Sequence, residues 1–308
     1  MQLREWLRSA EEALSAAGID LDDAQIEPRL IAEAVLDISS AQLLLKQREL
    51  LSTAELNTLR AMLDRRTQRE PLSQVLGQWE FWSLPFVVTA DTLTPRPDTE
   101  VLIEEVLEWL STSPLARPGA RLIDIGTGTG CIGLSIASER PQLRYELIDL
   151  CPKALEVARL NLTKLRALGE ISDQTEVHLS CADLFTDQTS LEPPIAIVSN
   201  PPYIRRDVSD TLAPEVVQYE PHIALFGEGE DGLGEVRRIA TNAAQQLSAG
   251  GGLFLEVGYD QTEQTAELMR RAGLIEVKIR HDYGGQPRVV SGRKEWRKNG
   301  SATSASNL

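Results

Sequence analysis

The sequence predicts an α/β protein with a mostly parallel sheet covered by helices on both faces, preceded by a small helical bundle and a β-hairpin. Three observations carry this prediction. From Arg121 onward short apolar runs alternate with helical patterns, the first 70 residues show helical periodicity alone, and the stretch from about 75 to 97 is aromatic and β-branched.

In the N-terminal part Leu3, Trp6, Leu7, Ala10 and Leu14 recur at helical spacing, and Gly18 suits a helix stop. Pro28 reads as the first turn of a second helix that buries Ile31, Ala34, Val35 and Ile38. Ser52 and Glu55 have capping-box spacing ahead of a third, with Leu56, Leu59, Met62 and Leu63 on one face. Trp79-Glu80-Phe81-Trp82 and Phe86-Val87-Val88, separated by Ser83-Leu84-Pro85, predict the hairpin. Two prolines in Thr94-Pro95-Arg96-Pro97-Asp98 then restrict the backbone before a helix carrying Val101, Leu102, Val106 and Leu110. Seven strands are expected at 121–125, 145–148, 177–179, 195–199, 253–257, 275–279 and 289–291, with helices near 131–139, 152–168, 232–248 and 260–272. The division expected is a helical domain over 1–74, a linker over 75–97, an α/β domain over 98–296 and a disordered tail over 297–308.

With 42% hydrophobic and 25% charged residues, and no run of membrane-spanning length, the composition is that of a soluble globular protein. Acids at Glu5, Glu11 and Glu12 argue against a transit peptide, and a cytoplasmic address follows by default. A formal charge of −15 disfavours attraction to a phosphate backbone, with Arg65, Arg66 and Arg69 left as one local basic face. Cys131, Cys151 and Cys181 lack the close pairing of a zinc or redox motif, and the three histidines are scattered, so no metal site is expected.

Leu122-Ile123-Asp124-Ile125 runs into Gly126-Thr127-Gly128-Thr129-Gly130 just before a helix, a loop that lets a ligand approach the main chain. Asp149 closes the next strand about twenty residues on, where a carboxylate accepts hydrogen bonds from ribose hydroxyls. Gly128, Gly130 and Gly133 also satisfy the G-x-G-x-x-G spacing of a dinucleotide loop, so the glycines alone leave two cofactor classes open. Asp124, two residues before Gly126, favours S-adenosylmethionine, because methyltransferases commonly carry an acid there. Asp183 follows the third strand, where it suits the adenine amino group while Leu184 packs on the ring.

Asn200-Pro201-Pro202-Tyr203 ends the strand expected beside the first, at the switch point of the sheet. Prolines carry no N–H, so this turn offers carbonyl acceptors with few competing donors. The Asn200 side-chain oxygen and the Pro201 carbonyl suit the two hydrogens of an NH2 group, with Tyr203 against a planar substrate. Holding an amide nitrogen this way favours pyramidal geometry and frees its lone pair for attack.

These motifs resemble those of class I methyltransferases that modify planar nitrogens. A narrower resemblance, to the HemK/PrmC family of release factor glutamine methyltransferases, covers about residues 1 to 293. It rests on Glu70-Pro71-Leu72 with Gly77, Phe81-Trp82, Pro95-Arg96-Pro97-Asp98-Thr99-Glu100, Tyr219-Glu220-Pro221, Asp231-Gly232-Leu233, Glu256-Val257-Gly258 with Gln261, and Asp282-Tyr283-Gly284 with Arg288. The resemblance implies a Rossmann-like seven-stranded domain with S-adenosylmethionine as cofactor; a monomer is expected, and the acidic composition speaks against direct nucleic-acid binding. Its substrate would be a class 1 peptide chain release factor, docked by the helical domain and modified at the glutamine of a Gly-Gly-Gln loop. Thr94, Gln74 and Leu184 depart from the family's usual residues and touch mainly substrate docking. The rival enzyme is an adenine-N6 methyltransferase on DNA or RNA, since an exocyclic amino group makes the same demands on Asn200 and Pro201. The three cysteines, each near a strand end, further suggest thiols lining the cofactor pocket and oxidation-sensitive activity.

Overall fold

Apolar residues at three- and four-residue spacing make the N-terminal helices in the computed structural model, which describes residues 1–185 and 192–296. These are α1 (Leu3–Ala16), α2 (Leu21–Leu36), α3 (Ser40–Lys46), α4 (Thr53–Thr67) and α5 (Leu72–Leu76). Leu3, Trp6, Ile31, Leu43 and Leu59 fill their common core. Ser52 and Glu55 close their capping box at 3.2 and 2.7 Å. The same box at Ser39 and Gln42 opens α3, which the apolar pattern does not disclose because only Leu43 of that helix is buried.

Helix α2 begins at Leu21, not at Pro28, which therefore lies inside it. The missing N–H costs about 3 kcal/mol in a helix interior. Burial of Ala24, Pro28, Ile31 and Ala32 overrides that local preference. The expected buried face shifts accordingly, and Ala34 is exposed.

Strands β1 (Gln78–Phe81) and β2 (Leu84–Val87) form the hairpin, with Trp79 opposite Phe86 and Phe81 opposite Leu84. Its turn is Trp82-Ser83 rather than Ser83-Leu84-Pro85. Both turn residues have positive φ, 54° and 56°, which matches the twist of the flanking strands. Pro85 pairs with Glu80 in a two-stranded sheet, where an unpaired edge tolerates the absent N–H. Asn161 fastens this hairpin to the α/β domain by accepting from Val87 N at 2.6 Å and donating to Val87 O at 3.1 Å.

The seven-stranded sheet comprises β3 (Arg121–Ile125), β4 (Arg144–Asp149), β5 (Glu176–Cys181), β6 (Ala196–Ser199), β7 (Gly252–Glu256), β8 (Leu274–His281) and β9 (Pro287–Lys294). Its order is β5-β4-β3-β6-β7-β9-β8, with β9 antiparallel to both neighbours and the other pairs parallel. Helices α6 (Glu100–Thr112), α7 (Cys131–Glu139) and α8 (Pro152–Leu168) bury Leu102, Leu134 and Leu162 against one face. On the other, α11 (Gly234–Gln246) and α12 (Thr262–Arg271) bury Ile239 and Met269 with Ile123 and Ile197. Two short helices, α9 (Pro214–Tyr219) and α10 (His222–Leu225), lie between β6 and α11. The chain runs outward from β3 to β5 and returns to β6, so the crevice at the carboxyl ends of β3 and β6 is the switch point. The tail expected over 297–308 lies outside the described residues.

The arginines that read as a basic face are engaged in ion pairs. Arg65 pairs with Glu70 at 2.5 Å, and Arg66, 5% exposed, pairs with Glu27 at 2.7 Å and with Glu215 of α9 at 3.0 Å. Arg69 meets the other Glu215 oxygen at 2.7 Å. Burial pushes the Glu27 carboxyl above its ordinary range, with the Arg66 guanidinium pulling the other way. Arg66→Met strands Glu27 and weakens the seam between the helical bundle and α9. The expected loss is about 3–5 kcal/mol of unfolding free energy, read by urea denaturation; a change below about 1 kcal/mol, the worth of an exposed pair, contradicts this account.

Candidate active site

The loop after β3 is held from behind by Asp124, which is fully enclosed. Its Oδ2 accepts from the Thr127 hydroxyl at 2.6 Å and from Gly133 N at 3.0 Å, fastening the loop to the first turn of α7. Burial pushes this carboxyl up to about 6 against the pull of both bonds. Gly126 and Gly128 have φ of +68° and +55°, which side chains rarely adopt. A Cβ on either would meet no protein atom within 4 Å. The loop thus leaves an open bed beside its main chain.

That bed belongs to a cavity of about 340 Å³, within the size range of small-molecule sites. Asp149 lies on its wall, with Oδ2 accepting from Gly128 N and Oδ1 from Cys151 N, each at 2.8 Å. Burial raises its pKa, opposed by these backbone donors. Each carboxylate oxygen can accept a further hydrogen bond, so vicinal hydroxyls of a ribose fit here. Asp183 and Leu184 also line the cavity, and Arg238 donates to Asp183 at 2.6 Å. Cys131 and Cys151 are on the wall, whereas Cys181 is exposed elsewhere. Burial pushes the Cys131 thiol up to about 12, which keeps it protonated and unreactive.

Asn200, Pro201 and Pro202 line the same cavity from the end of β6. Asn200 Nδ2 donates to Thr99 Oγ1 at 3.3 Å. Among the described residues nothing donates to Asn200 Oδ1 or to the Pro201 carbonyl. Two acceptors without a donor therefore belong to residues that line a cavity with a nucleoside-compatible carboxylate. Of the residues singled out in the sequence, Gly126, Thr127, Gly128, Thr129, Asp149, Asp183, Leu184, Asn200, Pro201 and Pro202 share this wall, while Asp124, Gly130 and Tyr203 stand outside it. Gly130 instead caps the start of α7, and burial raises the pKa of Tyr203.

Tyr203 is held by its main chain. Gln261 Nε2 donates to Tyr203 O at 2.9 Å and to Asp231 O at 2.8 Å, and Gly258 N donates to Gln261 Oε1 at 3.1 Å. Gly232 passes so close that a Cβ there would lie 2.4 Å from Tyr203 O, at a φ of +71°. Gly232→Ala displaces the turn and is expected to cost about 1–3 kcal/mol of stability together with most of the activity. Thermal unfolding and methyl transfer read both effects, and a variant equal to the parent in each contradicts the close approach.

The Pro95–Glu100 run wraps this site. Arg96 binds the buried Glu220 at 2.7 Å, Asp98 lies 3.5 Å from Arg288, Thr99 meets Asn200, and Glu100 accepts from Trp82 N at 2.9 Å. The departures Thr94 and Gln74 lie in the adjoining seam, where Thr94 meets Ser73 at 2.7 Å and Gln74 donates to Tyr219 O at 3.4 Å. Individual roles for Thr99, Glu256 and Arg288 are not legible from motif spacing, because three separate elements bring them together.

A switch-point cavity with a glycine bed, a carboxylate and two acceptors defines a class I S-adenosylmethionine-dependent methyltransferase. The fold is shared with the catalytic domain of hMettl16 in complex with MAT2A 3′UTR hairpin 6, at a TM-score of 0.53 and 15% identity over 81% of this chain and 84% of that one. Family models described as the PrmC N-terminal domain and the Methyltransferase small domain match residues 5–77 and 97–222. The release factor glutamine methyltransferase of Cereibacter sphaeroides is 41% identical over 95% of this chain and 99% of that protein. The protein of that name from Salmonella typhimurium is 35% identical with the same coverage. The chain belongs to the release factor glutamine methyltransferase family, and S-adenosylmethionine is its cofactor. No described helix is long and apolar enough to cross a membrane.

Proposed function

We propose that this protein transfers a methyl group from S-adenosylmethionine to the side-chain amide nitrogen of the glutamine in the Gly-Gly-Gln loop of class 1 peptide chain release factors. The carrying observation is the pair of undonated acceptors, Asn200 Oδ1 and the Pro201 carbonyl, on the wall that also holds Asp149. Gly126, Gly128 and Asp149 would hold the cofactor, with Asp183 and Leu184 toward its base. When bound, S-adenosylmethionine supplies a methyl group on a positively charged sulfur, an electrophile that needs no acid catalyst.

The chain's own residues have to make a poor nucleophile attack. An amide nitrogen shares its lone pair with its carbonyl, and two acceptors gripping its hydrogens hold it in place and favour release of that pair. Tyr203 steadies the turn that carries both acceptors. The nitrogen becomes cationic as its new bond forms, and a proton then leaves easily without a strong base.

Residues 1–74 act as the substrate-docking domain, 75–97 as its linker and 98–296 as the catalytic domain. The protein works as a cytoplasmic monomer. The adenine-N6 reading is not favoured, since Arg65, Arg66 and Arg69 are taken up by internal ion pairs and the net charge is −15. Incubation with cofactor and a release factor, then mass spectrometry of the loop, is expected to show a methylated glutamine. Unmodified glutamine alongside methylated DNA or RNA in parallel incubations would overturn the proposal.

A further inference from the structure

The Asn200 side chain has an acceptor at one end and a donor at the other, and only the acceptor suits an incoming NH2 group. A neighbour must decide which end faces the cavity. Strands β6 and β7 run in parallel with Ser199 opposite Leu255, so Asn200 and Glu256 leave the sheet side by side. Glu256 is 2% exposed and is absent from the cavity wall. The Thr99 hydroxyl and the Asn200 amide both favour its charged form, Asn200 Nδ2 donates to Thr99 Oγ1 at 3.3 Å, and Glu256 Oε2 has no hydrogen-bond partner among the described residues. A carboxylate only accepts, so it draws Nδ2 inward and leaves Oδ1 facing out.

We propose that Glu256 is a positioning residue that fixes the orientation of the Asn200 carboxamide and presents Oδ1 to the substrate nitrogen. The catalytic consequence rests on the amide-methylation reading above; the side-chain orientation does not. Arg288 of β9 faces Glu256 and offsets part of its charge, while Asp98, Tyr203 and Cys131 are the other titratable groups turned toward it. Burial pushes the Glu256 carboxyl up to about 7, against the Thr99, Arg288 and Asn200 interactions. Below that pH a protonated Glu256 can donate, which lets Asn200 turn its oxygen inward and its NH2 toward the substrate.

The test is Glu256→Gln in the full chain, which keeps the shape and loses the obligatory acceptor. Misplacing the acceptor is expected to lower kcat about 100-fold while substrate KM and calorimetric cofactor affinity stay at parent values. The parent's kcat should rise with pH through about 7, and the variant should lack that limb. Independently of any substrate, asparagine-labelled protein is expected to show Asn200 side-chain NH2 resonances, identified by their loss in Asn200→Ala, that shift over the same pH range. In Glu256→Gln they should not shift. A variant with parental kcat and a parental acid limb, or pH-independent Asn200 resonances in the parent, overturns the inference. If those resonances titrate while release-factor glutamine stays unmethylated, the substrate reading fails and the positioning role stands. If Glu256→Gln loses cofactor affinity or does not fold, the parent's NMR titration decides.

Discussion

Asn200→Ala is expected to lower kcat by about 10²–10³-fold, the usual effect of deleting one well-placed polar partner of the reacting group. The alanine removes one of the two acceptors, and the Pro201 carbonyl by itself leaves the substrate NH2 free to rotate. Because Oδ1 has no donor to lose among the described residues, stability should change much less than rate. The Nδ2 bond to Thr99, at 3.3 Å, and the support that the amide gives the buried Glu256 carboxylate are the interactions whose loss unfolding would register. Single-turnover methyl transfer with saturating cofactor isolates the chemical step. Parental kcat with a lowered melting temperature would reduce Asn200 to a turn residue.

Asp149→Ala is expected to weaken S-adenosylmethionine binding by about 10²–10⁴-fold, from two charge-assisted hydrogen bonds at about 1.5–3 kcal/mol each. The same change leaves Gly128 N and Cys151 N without their acceptor, and Gly128 N lies in the loop that forms the bed. Calorimetric titration measures the effect without turnover, and affinity within threefold of the parent, about 0.6 kcal/mol, rules out a ribose-binding role. The pH dependence has a definite sign. Burial raises the Asp149 pKa, so affinity in the parent falls as pH is lowered and begins to fall above the pH at which an ordinary aspartate titrates. In Asp149→Ala that dependence should be absent.

The two substitutions separate the halves of the site. One is expected to spare cofactor binding and remove chemistry, and the other to remove binding itself. Glu256→Gln resembles the first in rate and differs from both in its pH profile. Arg66→Met touches neither half directly, yet Arg66 reaches α9 through Glu215, and α9 ends beside Glu220, which holds Arg96 and Thr94. The helical bundle is therefore linked through α9 to Thr94 and Arg96, which line the cavity.

The strand and helix pattern after Arg121 is legible in the sequence because each element buries one face or both, and burial writes a period of two or 3.6 into the residues. The glycine loop and the Asn200–Tyr203 turn are legible because they depend on backbone properties of glycine and proline. Pro28 and the hairpin turn were not, since a buried proline and a non-glycine pair at positive φ are tolerated only once tertiary packing surrounds them. Helix α3 shows its cap in Ser39 and Gln42 but too little apolar surface to be read as a helix.

Local chemistry alone determined which residue types this protein would use: a flexible loop for a nucleoside ligand, a carboxylate twenty residues on, and a proline-flanked amide as acceptor. Tertiary structure decided which of them meet and how they are aimed. Asp124 went behind the loop while Asp149 reached the wall, and residues as distant as Thr99, Asn200 and Glu256 came into one cluster. The reason is that contacts between elements far apart in the sequence depend on sheet order and register, which no local stretch of sequence encodes.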